Sequence, residues 1–203
     1  MAPLVVGFDL DMTLIDSRPG VIASFDALND ALGTTIDGDA IAARLGPTLE
    51  SEMAAYFPAD EVDAVCDRYR AIYAELGPPG SSLLPGAAAA VASVRDRGGV
   101  TLVITAKFEA NAHLCLDHVG IEVDHVIGWR HGPQKGETLL EHAAQIYVGD
   151  TIPDVEAAHL AGAHAVAVPS GPVSAADLHA AGAHTVLETL EDFPAWLEAF
   201  IQD

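Results

Sequence analysis

The sequence predicts an α/β fold in which a parallel β-sheet is covered by helices on both faces. Short apolar runs rich in valine, of which residues 4–8 are the first, indicate strands that are buried on both sides. Alanine- and leucine-rich segments with helical periodicity separate the later runs. Because strands that alternate with helices are typical of βαβ units, this order predicts a parallel sheet.

The predicted elements follow one another regularly through the second half of the chain. Further strands are expected at residues 100–104, 125–127, 146–148, 165–168 and 185–187. Helices are expected before and between them, at about residues 86–97, 109–119, 136–144, 153–162 and 174–181. Two similar segments, 159–166 and 179–186, each indicate a helix end, a glycine and the start of a strand.

A helical insertion interrupts this alternation after the first strand. Helical patterning recurs there, without a convincing strand, at residues 21–32, 49–57 and 61–76. Residues 77–82 are rich in glycine, proline and serine, which indicates a linker. We therefore expect a core domain formed by residues 1–15 and 84–203, and a smaller helical domain formed by residues 16–83.

Length and composition limit the possible classes of protein. The 203 residues suffice for one substantial core and a small added domain, and an apolar fraction of 50% favours a globular fold. No apolar stretch reaches about 18 residues and no basic region precedes the first strand, so neither a membrane span nor a signal peptide is expected. Two cysteines do not make a disulfide framework, and we expect a cytoplasmic protein.

The formal net charge of −21 is the strongest bulk feature of the chain. Nucleic-acid binding requires clustered lysine and arginine, so this charge argues against nucleic acids and against anionic membrane surfaces as partners. An anionic substrate would need a local positive patch or a metal ion. Only two lysines are present, Lys107 and Lys135, while arginine fills the other seven basic positions.

Two carboxylates follow the first predicted strand directly. Asp9 and Asp11 lie two residues apart, and a hydroxyl residue, Thr13, comes after them. Such a pair by itself is also typical of an exposed turn or a helix cap. In an open parallel sheet, however, ligands bind at the carboxyl ends of the strands. Two acids at that place can hold a hard cation, and one can act as nucleophile while the other moves protons.

Polar residues also follow the other predicted strands. Taken singly, each has a structural explanation as a strand-end hydroxyl, a helix cap or a surface lysine. Together they would place four carboxylates at one sheet edge, which is strongly repulsive unless a cation neutralises them. Oxygen ligands without cysteine or histidine indicate Mg²⁺. With a hydroxyl and a lysine opposite the metal, this pattern predicts a phosphoryl-transfer site built from Asp9, Asp11, Thr105, Lys135, Asp150 and Asp154.

In their order and spacing, these residues resemble the four motifs of the haloacid dehalogenase-like superfamily. The resemblance covers essentially the whole chain. It implies a Rossmann-like, three-layer core with an inserted helical domain of the type 1 cap class. Gly46-Pro47, residues 69–73 and Leu84-Pro85-Gly86 are similar to the phosphoglycolate phosphatase-like branch.

The resemblance also implies roles for the residues. Asp9 would attack phosphorus and form an aspartyl-phosphate intermediate, and Asp11 would act as general acid and then general base. Thr105 would bond a phosphate oxygen. Mg²⁺ would be held by Asp9, the backbone carbonyl of Asp11 and Asp150, with Asp154 binding directly or through water.

The choice of the charge-stabilising lysine stays open at this level. Lys135 is favoured, although the distance from Lys135 to Asp150 is shorter than in phosphoglycolate phosphatase relatives. Lys107 is the competitor, and Arg18 is a weaker candidate for contacting a substrate anion. Two departures from the family are Met12, where a glycine is common, and Ala106, where an asparagine is usual.

The resemblance predicts a Mg²⁺-dependent phosphatase acting on a small phosphorylated metabolite, such as phosphoglycolate, a sugar phosphate or a nucleotide. A phosphoglucomutase-type phosphotransferase is the alternative, and a non-catalytic binding protein that retains the fold is another. Dehalogenases lack the second acid, so Asp11 argues against that reaction. The histidines form no convincing metal pair, and zinc is not expected.

Overall fold

The computed structural model, which describes residues 3–202, contains a six-stranded parallel sheet and a separate two-stranded antiparallel pair. In chain order the strands are β1 (Val5–Phe8), β2 (Ile15–Asp16), β3 (Ser82–Leu83), β4 (Val100–Ile104), β5 (His125–Ile127), β6 (Ile146–Gly149), β7 (His164–Ala167) and β8 (Thr185–Val186). The predicted α/β fold with a parallel sheet is therefore confirmed.

Helices lie on both faces of this sheet and in the segment that follows β1. They are α1 (Arg18–Leu32), α2 (Gly38–Ala42), α3 (Leu49–Met53), α4 (Val62–Leu76), α5 (Ala87–Arg95), α6 (Glu109–Val119), α7 (Pro133–Glu141), α8 (Ile152–Ala161), α9 (Ala175–Ala180) and α10 (Phe193–Gln202). Short 3₁₀ turns occur at Pro78–Gly80 and Leu190–Asp192.

The strand order β5-β4-β1-β6-β7-β8 places β1 at the centre of the sheet. Alternate residues of β1 point to opposite faces, so Phe8 packs in one apolar cluster with Phe193 of α10, while Val5 lies in the other with Tyr147. After β1 the chain forms β4 and β5 on one side of it and then crosses to form β6, β7 and β8 on the other side. This is the kind of switch point where α/β sheets bind ligands.

The helical insertion after β1 is present and consists of α1 to α4. Its helices pack on one another through aromatic contacts, with the rings of Phe25 and Tyr69 4.6 Å apart. β2 and β3 pair where the chain leaves and re-enters the core, with Ile15 opposite Leu83. The predicted domain limits, at residues 15/16 and 83/84, fall within β2 and directly after β3, and they stay a prediction.

Four elements differ from the sequence-based expectation. The strands β2 and β3 were not expected, because two-residue strands carry no periodicity and are specified by their pairing. The short helix α2 and the C-terminal helix α10 were also missed. Across residues 3–202, no helix combines the length and apolar character needed to cross a membrane.

Candidate active site

Three buried carboxylates meet at the carboxyl end of the central strands. Asp9 follows β1, and its backbone N–H donates to Val148 O of β6 at 2.8 Å. Asp150 and Asp154 follow β6. One oxygen from each of the three lies within 4.8 Å of the others. Parallel pairing of β1 with β6 therefore brings together acids that are more than 140 residues apart in sequence.

Asp9 is held from both sides and is only 8% exposed. Its Oδ1 accepts a hydrogen bond from Leu10 N at 2.7 Å, and its Oδ2 lies 2.9 Å from Lys135 Nζ. Burial raises the pKa of the Asp9 carboxyl to about 7, in spite of the opposing attraction of Lys135. Burial, together with the smaller effects of Asp154 and Asp11, therefore outweighs the attraction of Lys135.

Asp150 has an oxygen without a partner. Its Oδ1 accepts from Thr13 Oγ1 at 2.9 Å, whereas Oδ2 is buried and accepts no hydrogen bond in the described structure. Burial and the nearby Asp154 and Asp9 raise the pKa of the Asp150 carboxyl well above its ordinary value. A free buried oxygen beside two other carboxylates fits a hard divalent cation, which favours the ionised form of each.

Asp154 is fixed by a dense set of hydrogen bonds. Its Oδ1 accepts from Lys135 Nζ at 2.7 Å and from Tyr147 Oη at 3.2 Å, and its Oδ2 accepts from Thr151 Oγ1 at 2.5 Å. Thr151 and Asp154 form a capping box at the start of α8. Burial opposes the charge on Lys135, but Asp154 and Asp9 keep its pKa well above the ordinary lysine value.

Asp11 is the most accessible of the four acids, with its side chain 18% exposed. Its Oδ1 accepts from Ser17 Oγ at 2.5 Å and lies 3.1 Å from Lys107 Nζ. Lys107 also donates to Tyr73 Oη of α4 at 2.9 Å. The two lysines thus have different partners: Lys135 contacts Asp9, and Lys107 connects Asp11 to the helical insertion.

The other predicted residues divide between the site and the surface. Thr105, at the end of β4, is 1% exposed and lines the same cavity as Asp9. The backbone N–H of Lys107 donates to Thr105 Oγ1 at 3.2 Å. Ala106 and His131 also line the cavity. Arg18 does not line it and pairs instead with Asp16 at 2.6 Å.

The helical insertion covers this cavity, which has a volume of about 110 Å³. Its walls beyond the carboxylates are mostly apolar and include Phe25 and Tyr69 of the insertion. Arg70 of α4 reaches the core at this place, and its guanidinium carbon lies 5.7 Å from the ring centre of Phe108 and 5.2 Å from that of Trp129. The insertion and the core therefore meet through a cation–π contact beside the site.

Several residues of the site escaped the sequence reading. Tyr147 looks like an ordinary strand residue, and Tyr73 and Arg70 like ordinary helix residues, so nothing local marks them. Met12 was marked in the sequence, because it stands where the resembled family commonly has a glycine. Its φ of +60° is a left-handed conformation, in which a side chain costs roughly 1–2 kcal/mol. Ser170 Oγ donates to Met12 O at 2.5 Å and helps to hold this turn.

Comparison with known proteins agrees with this geometry. The family model described as haloacid dehalogenase-like hydrolase matches residues 6–168, which span all four predicted motifs. The chain is a haloacid dehalogenase-like hydrolase. The family resemblance drawn from the sequence is thereby confirmed, and with it the expectation of an enzyme.

Individual relatives of this haloacid dehalogenase-like hydrolase differ in how much of their length they share with it. It is 32% identical to the tyrosine-protein kinase PtkA of Mycobacterium tuberculosis, over 84% of this chain and 63% of that protein. It is 29% identical to the probable phosphatase IndB of Dickeya dadantii, over 95% of this chain and 92% of IndB. The chain thus spans less than two thirds of the kinase and nearly all of IndB.

Solved structures share the fold over nearly the whole chain. A predicted phosphoglycolate phosphatase from Haemophilus somnus superposes with a TM-score of 0.81, covering 96% of this chain and 98% of that one, at 19% identity. At this identity the likeness concerns the fold, including the helical insertion, and the chemistry has to be argued from the residues.

Proposed function

We propose that this hydrolase is a Mg²⁺-dependent phosphatase that cleaves a phosphomonoester through an aspartyl-phosphate on Asp9. The buried Asp150 carboxylate carries the proposal, because one of its oxygens accepts no hydrogen bond and the group lies beside Asp9 and Asp154, with one oxygen of each residue within 4.8 Å of the others, where a cation could bind at the proposed nucleophile. IndB, which the chain matches over 92% of its length, is named a probable phosphatase and supports the same reaction.

Asp9, the backbone carbonyl of Asp11 and Asp150 would hold the metal ion, and Asp154 would orient the site through its bonds to Lys135 and Thr151. When bound, Mg²⁺ would supply positive charge to the phosphoryl oxygens. Burial of the carboxylates and the charge of Lys135 would keep the site free of bulk water and ready for an anion.

In the first step a carboxylate oxygen of Asp9 attacks phosphorus, and the bond from phosphorus to the ester oxygen breaks. Asp11 donates its proton to the departing oxygen, which leaves as the alcohol. Water then attacks the phosphorus of the acyl phosphate, and Asp11 takes its proton. The bond to Asp9 breaks, inorganic phosphate is released, and both aspartates are regenerated.

The remaining residues position the phosphoryl group. Thr105 Oγ1 lines the cavity and can donate to a phosphate oxygen. Lys135 lies 2.9 Å from Asp9 and offsets charge on the nucleophile and the phosphoryl group, while Lys107, 3.1 Å from Asp11, holds the acid–base residue in place.

A panel of phosphate esters tests this function. With Mg²⁺ we expect phosphate release by the natural enzyme, and EDTA should abolish it. Asp9→Asn should lower kcat by at least about 10³-fold, because an amide cannot form the acyl phosphate. Circular dichroism checks that the variant is folded. Equal release by Asp9→Asn and the natural enzyme across a broad panel would refute the proposal.

A further inference from the structure

We infer that the substrate carries an uncharged, largely apolar leaving group, and that this group occupies a groove extending outward from the catalytic cavity. This inference rests on the proposed phosphatase function and narrows its substrate class. The outer groove lies between the helical insertion and the core, and its apolar walls are formed by Leu45, Pro47, Ile152, Pro153 and Val173.

The outer groove adjoins the catalytic cavity. Both are bordered by Leu45 and Pro47 of the insertion and by His131, Thr151 and Pro153 of the core. The cavity has a volume of about 110 Å³ and the groove one of about 450 Å³. Small-molecule pockets usually measure about 300–1,000 Å³, so the groove is large enough for a leaving group well beyond the two carbons of glycolate.

The outer groove has no permanently charged side chain among its described lining residues, and His131 is the one titratable residue there, although 19% of the chain is charged. Among the described residues that line it there is no lysine, arginine, aspartate or glutamate. Thr48, Ser51 and Thr151 provide hydroxyl groups instead. A charged group placed there would lose its hydration without gaining a partner, whereas an apolar group would gain from leaving water.

The positive charges of the catalytic cavity already face carboxylates, although the buried Arg70 Nε donates no hydrogen bond in the described structure. The described residues that line it include five carboxylates and three cations. Each of these cations already faces a carboxylate: Lys135 faces Asp9 and Asp154, Lys107 faces Asp11, and Arg70 faces Glu50 and Asp67. A divalent cation would balance the excess acid before the phosphate enters. A further carboxylate on the leaving group would therefore be repelled.

Two esters with the same benzyl skeleton distinguish an apolar leaving group from a charged one. Benzyl phosphate and 4-carboxybenzyl phosphate differ in one carboxylate, and both leave as primary alcohols. At about pH 8, where an ordinary imidazole is uncharged, we expect kcat/KM to be at least about tenfold higher for benzyl phosphate. Equal values, or a preference for the carboxylate, would overturn the inference.

Phosphoglycolate, tested beside them, separates the inference from the proposed function. If the enzyme cleaves phosphoglycolate better than benzyl phosphate, the inferred substrate class is wrong and the phosphatase function stands. If no ester is cleaved above the level of Asp9→Asn, both fail.

Substitutions in the outer groove test whether the leaving group binds there. Val173→Asp should raise KM for benzyl phosphate about tenfold while kcat changes little, because the residue borders the groove and not the reacting atoms. Leu140→Asp adds the same charge on an exposed part of α7, outside both spaces, and should leave KM unchanged. An equal KM in these two variants would refute the assignment of the groove.

A second substitution tests the same groove and does not require that Val173→Asp folds. Ser51 is exposed at the edge of the groove, so Ser51→Lys places a cation there with little effect on packing. We expect kcat/KM for 4-carboxybenzyl phosphate to rise several-fold relative to that for benzyl phosphate. An unchanged ratio would mean that the leaving group lies elsewhere.

Discussion

The position of the Asp150 carboxylate depends on a residue in a distant loop. Asp150 Oδ2, the oxygen of this carboxylate that accepts no hydrogen bond in the described structure, faces the backbone of Gly171 so closely that a Cβ at residue 171 would lie 1.8 Å from it. Real atoms do not approach so closely, so any other residue at this position would displace the carboxylate. A glycine is therefore required at residue 171 because a side chain would collide with Asp150, and not because of the backbone conformation.

Gly171→Ala is expected to weaken the site while the protein stays folded. Because the displaced atom is the end of a side chain, the enzyme should move the Asp150 carboxylate at little cost in stability. We expect a rise of about tenfold or more in the Mg²⁺ concentration needed for half-maximal phosphate release.

Gly98→Ala is the matched control for this substitution. It introduces the same methyl group in a left-handed turn where no atom lies within 4 Å, and it should lower stability without altering the Mg²⁺ requirement. The interpretation of Gly171 would fail if both variants required the same amount of Mg²⁺ as the natural enzyme.

At the scale of elements, the first residue of β7, the strand next to the edge strand β8, is joined to α10 by a cluster of rings. His164, the first residue of β7, packs against Trp196 and Phe200 of α10 at ring distances of 5.4 Å and 4.9 Å. The ring of His184 lies 4.7 Å from that of His164. Burial, together with the charge that His184 can carry, lowers the pKa of His164 below its ordinary value.

This lowered pKa makes the stability of the protein depend on pH. An unfolded histidine titrates near pH 6.5, and below that value the unfolded chain binds a proton that folded His164 resists. The contribution of His164 is therefore largest above about pH 6.5 and falls as the pH drops towards its folded pKa. When thermal unfolding is measured from pH 8 to pH 5, the Tm of His164→Gln should fall less steeply with decreasing pH than the Tm of the natural protein.

His179→Gln, at an exposed position of α9, is the control for loss of one histidine. It should keep the pH dependence of the natural protein. If His164→Gln also keeps it, the ring cluster does not have the assigned role.

For the whole molecule, the crowding of acids at the site links metal binding to stability. Burial disfavours the charges of Asp9 and Asp150, so the protein without a cation should be the less stable form. A ligand present at 100 times its Kd stabilises the folded state by about 2.7 kcal/mol. For a chain of this size, we expect Mg²⁺ to raise Tm by roughly 5–10 °C.

Asp150→Asn should separate the effect of charge repulsion on stability from the effect of metal binding. Removing one carboxylate relieves repulsion, so Tm without metal should rise, while the increase on adding Mg²⁺ should largely disappear. Scanning calorimetry with and without EDTA measures both. A variant that retains the full Mg²⁺ shift would show that Asp150 does not bind the metal.

Much of this architecture could be predicted because its signals are local. Valine-rich runs specify β1, β4 and β6, and the acids that follow β1 and β6 lie at strand ends in the sequence itself. The pair of β2 and β3 could not be predicted in this way, since two residues carry no periodicity. The separate roles of Lys107 and Lys135 could not either, because they depend on which carboxylate each lysine faces.

The sequence by itself determined the fold class, the helical insertion and the family, because strand patterning and the order of the motifs are properties of the linear chain. Only the tertiary structure decided which groups face one another. It brought Gly171 against Asp150, placed Tyr73 beside Lys107, and opened a groove beside the cavity with no permanently charged side chain among its described lining residues. These contacts join residues far apart in sequence, and their distances are fixed by how the helices and the sheet pack together.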